Sequence, residues 1–145
     1  MEADQLLKAL NNEKNEKMLE HSFSEIKNKK NDILQNLGLK KDNLKQFHNK
    51  LKNYRYIEDI KDLKYGASLR WINLNKLENI NLNRCAHLCD IKINNKEITL
   101  SMKGFNNRFF TLYLNENLLF QKLNDEEEIL LKAINHLSKI GRAHV

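Results

Sequence analysis

The stretch Glu97-Ile98-Thr99-Leu100-Ser101-Met102 alternates apolar and polar residues with a period of two. Such alternation is typical of a β-strand with one buried face. Upstream, apolar residues recur every three or four positions, as in an amphipathic helix: Leu19, Phe23, Ile26, Ile33 and Leu37. The period changes near Tyr65-Gly66, so the sequence predicts an α+β protein in which helices precede strands.

Residues 1–55 are predicted to form a charged helical arm or helical hairpin. The first long helix carries the apolar stripe, includes Lys30 in it, and stops before Gly38, because glycine readily adopts the left-handed conformation that ends a helix. A second helix is expected to place four apolar side chains on one face: Leu44, Phe47, Leu51 and Tyr54. The two stripes either cover one another or remain exposed for a partner. We expect weak self-association or binding of a protein partner through Leu19, Phe23, Ile26 and Ile33.

Residues 56–66 are predicted to connect this arm to a small β module with a C-terminal helix, residues 67–139. Five short strands are expected, over residues 67–74, 86–93, 97–102, 108–114 and 118–123. Strands of this number and length can close into an antiparallel SH3-like or OB-like barrel, which removes exposed edges. Trp71 and Leu69 are expected to share the core face of a central strand. Asn124 is predicted to cap the last helix and Glu127 to return the hydrogen bond.

The chain is basic, with 25 Lys and Arg residues against 19 acidic ones. Nine basic and two acidic residues lie between positions 27 and 55. On the second helix, basic residues recur every three or four positions: Lys41, Lys45, His48, Lys52 and Arg55. Two interpretations remain open, a solvated helix face in a lysine-rich chain and a row of phosphate contacts.

A second candidate surface follows from strand alternation. If Phe110 and Leu112 face the core, then Phe109, Thr111 and Tyr113 point outward. Four basic residues can share that side: Arg70, Lys92, Lys103 and Arg108. Aromatic and basic side chains interleaved on a small β module bind single-stranded nucleic acid in many proteins. The alternative is that the C-terminal helix covers Phe109 and Tyr113.

Catalytic and metal-binding patterns are not recognised. Cys85, His87 and Cys89 alternate, so on a regular strand the two cysteines lie about 13 Å apart, too far for one zinc ion or a disulfide. We therefore predict that these cysteines are small packing residues. The sequence has no glycine-rich phosphate loop, His-Glu-x-x-His motif or nucleophile elbow. We expect a protein that is not an enzyme, with no catalytic residue, metal or cofactor.

Targeting signals and the chain terminus give two further expectations. No secretory signal and no apolar run long enough to span a bilayer is recognised, so we expect a cytoplasmic protein without membrane contacts. The last six residues, Ile140-Gly141-Arg142-Ala143-His144-Val145, are similar to one translated frame of a common sequencing adapter. Residues 140–145 are therefore expected to be a non-native scar.

Several runs together resemble a known group of β modules. They are Gly66-Ala67-Ser68-Leu69-Arg70-Trp71-Ile72, Leu88-Cys89-Asp90-Ile91, Ile98-Thr99-Leu100, Arg108-Phe109-Phe110 and Leu119-Phe120-Gln121-Lys122-Leu123. In residues 56–138 the chain resembles small β modules of uncharacterised proteins from giant (nucleocytoplasmic large) DNA viruses. The resemblance implies a host cytoplasm or a virion as the location and brings no catalytic residues.

Two functions are expected from the sequence. The first is a non-enzymatic interaction or structural module, in which the arm binds a partner and the barrel acts as a docking domain. The alternative is weak, sequence-nonspecific nucleic-acid binding. Its residues are Lys41, Lys45, His48, Lys52, Arg55, Arg70, Phe109 and Tyr113.

Overall fold

A computed structural model of the chain describes residues 23–76, 78–130 and 132–133. These residues divide into two compact units. One contains helix α1 (Phe23–Gln35) and the start of helix α3, over residues 125–130 and 132–133. The other, Leu37–Lys122, contains helix α2 (Lys41–Lys50) and the whole β-sheet.

The sheet is antiparallel and has six strands in the order β1-β6-β2-β3-β4-β5. They are β1 (Tyr54–Tyr56), β2 (Ser68–Asn73), β3 (Ala86–Asn94), β4 (Glu97–Lys103), β5 (Phe109–Tyr113) and β6 (Asn117–Lys122). The α+β class is confirmed, and β2 to β6 correspond to the five predicted strands. Within the described chain β1 and β5 each pair on one side only, so the sheet is open where a closed barrel was expected.

Strand β1 was not predicted. It occupies residues that were expected to belong to the second helix, so that helix is shorter than predicted. Helix α2 ends at Lys50, where the Leu51 N–H closes the last turn on the Phe47 carbonyl at 3.0 Å. The chain then reverses, and the Tyr54 N–H bonds to the Leu51 carbonyl at 3.0 Å. The predicted continuation of the helix through Arg55 is therefore wrong. Aromatic residues favour strands, and β1 gains a full ladder with β6.

Helix α1 follows the prediction in part. Gly38 has φ +68° just after the helix, as expected for the residue that stops it. Ile26 and Lys30 are buried as the stripe predicts, but the fully buried residue in the next turn is Leu34, and Ile33 is only half-buried. The buried positions thus follow a spacing of four. Leu19 and the side chain of Phe23 lie outside the described residues.

One sheet face forms the core of the Leu37–Lys122 unit. Its fully or almost fully buried members include Leu69, Leu88, Leu100, Met102 and Leu119. Trp71 packs against this core, and its ring centroid lies 5.3 Å from that of Phe110. Because β2 lies between β6 and β3, the predicted central position of Trp71, on the same face as Leu69, is confirmed.

The other face is buried over β2 and β6. Ile72 and Phe120 have no exposed surface, and the ring of Tyr56 lies 5.7 Å from that of Phe120. Further along the sheet, over β3 to β5, this second face carries exposed side chains. The exposed part of this second face, over β3 to β5, is therefore the part that a ligand can reach.

The segment between β1 and β2 is fixed to the sheet by a buried polar group. Gln121 is fully buried; its Oε1 accepts from the Lys64 N–H at 2.8 Å, and its Nε2 donates to the Asp62 carbonyl at 3.0 Å. The Asp62 carboxylate in turn lies 3.4 Å from the guanidinium of Arg55. These contacts hold the 3₁₀ turn Ile60–Asp62 in place beside the core.

Helix α3 begins with the predicted capping box. The Glu127 N–H donates to Asn124 Oδ1 at 2.7 Å, and Glu127 Oε1 accepts from the Asn124 N–H at 3.2 Å. Both partners thereby satisfy backbone donors that a helix start leaves unpaired. The prediction for Asn124 and Glu127 is confirmed.

Candidate functional site: the outer face and edge of the β4–β5 hairpin

Strands β4 and β5 present a polar and aromatic outer face because their residues alternate about the sheet. Leu100 and Met102 pair with Leu112 and Phe110 on the core side. The outward pairs are Lys103 with Phe109, Ser101 with Thr111, and Thr99 with Tyr113. Phe109 is 70% exposed and Tyr113 41% exposed. The predicted outward orientation is confirmed; the C-terminal helix is described only as far as residue 133, so the alternative that it covers Phe109 and Tyr113 stays a prediction.

Basic groups accompany both aromatic rings. Lys103 Nζ lies 5.8 Å from the centre of the Phe109 ring, within the range of a cation–π contact. Two outward rows further along, Lys92 of β3 pairs with Thr99, and Thr99 pairs with Tyr113. Each ring therefore stands in a row with a lysine. With about 6.6 Å between successive outward residues, the two rows are separated by about 13 Å.

The connection between β4 and β5 adds a third aromatic side chain. The Gly104 N–H donates to the Arg108 carbonyl at 2.7 Å and closes the loop. Asn106 and Asn107 adopt left-handed φ values of 61° and 58°, which asparagine tolerates better than most residues. Phe105 is 77% exposed at this tip. Sequence analysis missed Phe105 because a loop residue has no periodic pattern to mark its exposure.

Within the described part of the chain, strand β5 also presents a free edge. Antiparallel pairs alternate between hydrogen-bonded and non-hydrogen-bonded, and the Gly104–Arg108 bond sets the phase. The backbone groups of Phe110 and Leu112 therefore face β4, whereas those of Phe109, Thr111 and Tyr113 point away from it. The strand contains no charged residue and no proline. Charges, proline and bulges are the usual protection of a sheet edge, and β5 has none of them within its five residues.

The predicted basic stripe does not form one helix face. Lys41 and Lys45 are exposed on α2, and Lys52 is exposed in the turn that follows it. His48 is half-buried. Arg55, by contrast, is buried in β1 beside Asp62, because the helix ends five residues earlier. Placing Arg55 in this stripe is therefore wrong.

Arg70 is on the same sheet face as Phe120, but its guanidinium is occupied by main-chain groups. Its Nε donates to the Asn83 carbonyl at 3.2 Å and one Nη to the Lys50 carbonyl at 3.4 Å. These bonds tie β2 to the loop before β3 and to the end of α2. Arg70 thus holds these two segments against β2, and its guanidinium has fewer N–H groups left to bind a ligand.

The residues predicted to bind a partner are only partly accessible. Ile26 is 8% exposed, so its side chain is already buried within the single chain. Ile33 is half-buried. The prediction of an exposed Ile26 on the arm, available to a partner, is therefore wrong. Leu19 and the side chain of Phe23 lie outside the described residues.

Cys85 and Cys89 are free thiols and both are exposed, so the prediction that they pack in the core is wrong. Cys89 directly follows the buried Leu88, at a β-bulge between Leu88 and Asp90, so alternation already places it away from the core, and Cys85 precedes the strand. His87 is exposed as well. Among the described residues, no group of three His, Cys, Asp or Glu side chains is arranged to hold a metal ion.

Among the described residues, the pKa values of two side chains depart clearly from their ordinary values, and neither side chain lies in the β4–β5 hairpin. Burial, together with the positive charge of Lys27, lowers the pKa of Lys30 to about 8. Burial and the nearby carboxylate of Glu58 raise the pKa of Tyr56. No helix among the described residues is both long enough and apolar enough to cross a membrane.

Comparison of the chain with protein-family models, curated proteins and solved structures gives no match. The function is therefore inferred from the geometry of the β4–β5 hairpin.

Proposed function

We propose that this protein is a non-enzymatic interaction module that associates through the free edge of β5, with a second copy of the chain as the partner. The observation that supports the proposal is the edge itself: three residues with outward main-chain groups and no charge to prevent pairing. Addition of a strand at an exposed sheet edge is a common mode of protein recognition.

The sequence of β5 suits pairing with itself. An antiparallel pair centred on Thr111 places Thr111 opposite the same residue of the second copy and Phe109 opposite Tyr113. Threonine pairs and aromatic pairs across strands each contribute about 0.2–1 kcal/mol. The ends also fit, because Arg108 precedes the strand and Glu116 follows it, so antiparallel pairing brings opposite charges to each end. Five residues bury little area, so the expected association is weak.

This proposal moves the association site from the arm to the sheet. The arm was expected to supply Ile26, which the chain already buries. The open sheet then serves as the docking domain that the sequence suggested. An origin in a giant DNA virus and a location in host cytoplasm or virion remain predictions.

Sedimentation velocity from low to high micromolar concentration tests the proposal. Thr111→Pro removes an outward N–H that β4 does not use, and proline is tolerated on edge strands. The matched control Thr111→Val keeps the N–H and the β-branched shape. We expect the wild type and Thr111→Val to associate weakly with rising concentration and Thr111→Pro to remain monomeric. A monomeric wild type, or equal association of all three proteins, would contradict the proposal.

A further inference from the structure

The outer face of β4 and β5 holds more exposed aromatic surface than strand pairing at the edge requires. Three of the five exposed large apolar side chains among the described residues belong to this hairpin: Phe105, Phe109 and Tyr113. Edge pairing uses main-chain groups in the plane of the sheet, whereas these rings project from it. The face therefore needs its own explanation.

Charge on this face is uneven, and the uneven distribution favours an anion at one end. Lys103 stands over the Phe109 ring, whereas the carboxylates of the face lie further along the ladder: Asp90 pairs with Ser101 in the row between Phe109 and Tyr113, and Glu97 lies one row beyond Thr99. A polyanion is therefore attracted most strongly at the Phe109 end. Lys92 extends the basic character to the row of Tyr113.

We infer that this face binds single-stranded nucleic acid, with Phe109 and Tyr113 stacking on bases and Lys103 and Lys92 contacting phosphates. The inference goes beyond the proposed self-association: it depends on the exposed ring faces and lysines of the hairpin, whereas association depends chiefly on the main-chain groups of its edge. Exposed aromatic residues on a sheet with basic neighbours stack on bases irrespective of sequence. A separation of about 13 Å between the rows suits bases that are not adjacent, with one or two nucleotides between them.

Duplex nucleic acid fits this face less well. Its bases are already stacked and paired, so a ring projecting from a sheet finds only groove edges and the backbone. Unpaired bases, by contrast, offer both faces to Phe109 and Tyr113. The exposed lysines of α2 give additional electrostatic attraction, but base stacking distinguishes the inference from attraction by charge alone.

Fluorescence anisotropy with labelled dodecamers of thymidine and of uridine, and with a duplex of mixed sequence, tests the inference at about 20 mM and about 150 mM salt. We expect weak binding of both single strands at low salt, weaker binding of the duplex, and loss of binding at the higher salt. Phe109→Ala should weaken binding by about 5- to 100-fold. Lys103→Glu should weaken binding at low salt more than Phe109→Ala does, and it should reduce the dependence of affinity on salt.

The controls match each substitution. Tyr65→Ala removes an aromatic residue that is 67% exposed outside β4 and β5, and Lys76→Glu makes the same charge change at another exposed position. Both should change affinity by less than about twofold if stacking and local charge determine binding. Equal effects of Phe109→Ala and Tyr65→Ala, duplex binding as tight as single-strand binding, or no binding at low salt would each overturn the inference.

Thr111→Pro separates this inference from the proposed function. It should abolish association and leave oligonucleotide affinity almost unchanged, since the outward rings and Lys103 are retained. Loss of both properties together would contradict a face that binds independently of the edge. Retention of association with no oligonucleotide binding would reject the inference and leave the proposed function intact.

Discussion

The buried side chain of Gln121 accepts a hydrogen bond from the backbone N–H of Lys64 at 2.8 Å, and so joins β6 to a segment distant in sequence. The same amide donates to the Asp62 carbonyl. A fully buried amide is stabilising only where its partners are present, because unpaired polar groups in the interior are unfavourable.

Replacing Gln121 by leucine should therefore destabilise the sheet. The substitution leaves the Lys64 N–H and the Asp62 carbonyl without their partner, and we expect the free energy of unfolding to fall by about 2–4 kcal/mol. Urea unfolding followed by tryptophan fluorescence measures the change. Lys122→Ala, at the exposed neighbouring position, should change stability by less than about 0.5 kcal/mol. Equal stability of Gln121→Leu and the wild type would show that the bonds to the segment are not important.

Trp71→Ala tests the core face. The ring packs on Phe110 and is only half-buried, so we expect a loss of about 2–4 kcal/mol, somewhat below that of a fully buried aromatic residue. Thermal unfolding by circular dichroism is the measurement. Phe105→Ala removes an aromatic side chain that is 77% exposed and should leave the melting temperature unchanged. Similar melting temperatures for both variants would indicate that Trp71 contributes little to the core.

Asn124→Ala tests the cap of α3. Loss of the side-chain acceptor leaves the Glu127 N–H unpaired, and we expect a decrease of about 1 kcal/mol in the free energy of unfolding. Asn124→Ser keeps an acceptor and should recover most of the loss. Hydrogen exchange of the Glu127 amide reports the same bond locally. Unchanged protection of that amide in Asn124→Ala would contradict the assignment.

The buried Lys30 should make the free energy of unfolding depend on pH. Its pKa is lowered to about 8, whereas in the unfolded chain it is near 10.5. Between these values the unfolded chain binds more protons than the folded chain, so stability rises with pH across this window. We expect a gain of about 1–2 kcal/mol, less than the full shift implies because water screens part of the charge.

Urea unfolding at pH 7 and pH 9.5 under reducing conditions measures this gain. Lys30→Met removes the titrating group, so its stability should exceed that of the wild type at pH 7 and show little pH dependence in this range. Lys29→Met, at an exposed neighbouring position, should retain the dependence. A wild type that loses stability as the pH rises from 7 to 9.5 would refute the prediction.

The strands β2 to β6 could be predicted because each carries a local signal. Alternation marks the strands, and asparagines mark the turns, as at Asn95 with φ 47°. Strand β1 carries no such signal: three residues are too few to reveal a period, and Tyr54 follows Phe47 and Leu51 at helical spacing. Its conformation depends on pairing with β6, far along the chain.

The outward aromatics of the site were predictable for the same local reason, since Phe109 and Tyr113 share parity within one strand. The free edge was not, because strand order is a tertiary property and the sequence suggested a closed barrel. Exposure of Cys89 was predictable from alternation, because the residue directly follows the core residue Leu88. The burial of Arg55 followed from the missed strand.

Strand order also affects how the protein is made. Of the six described strands, β6 is the last to leave the ribosome, yet it lies between β1 and β2. Until residue 122 has been synthesised and released, β1 has no neighbour in the sheet, whereas β2 to β5 can already pair in sequence. Co-translational folding should therefore begin with an open-sided sheet whose β2 edge is temporarily unpaired. During that interval the sheet has two free edges, at β2 and β5, and exposed edges favour pairing with other chains.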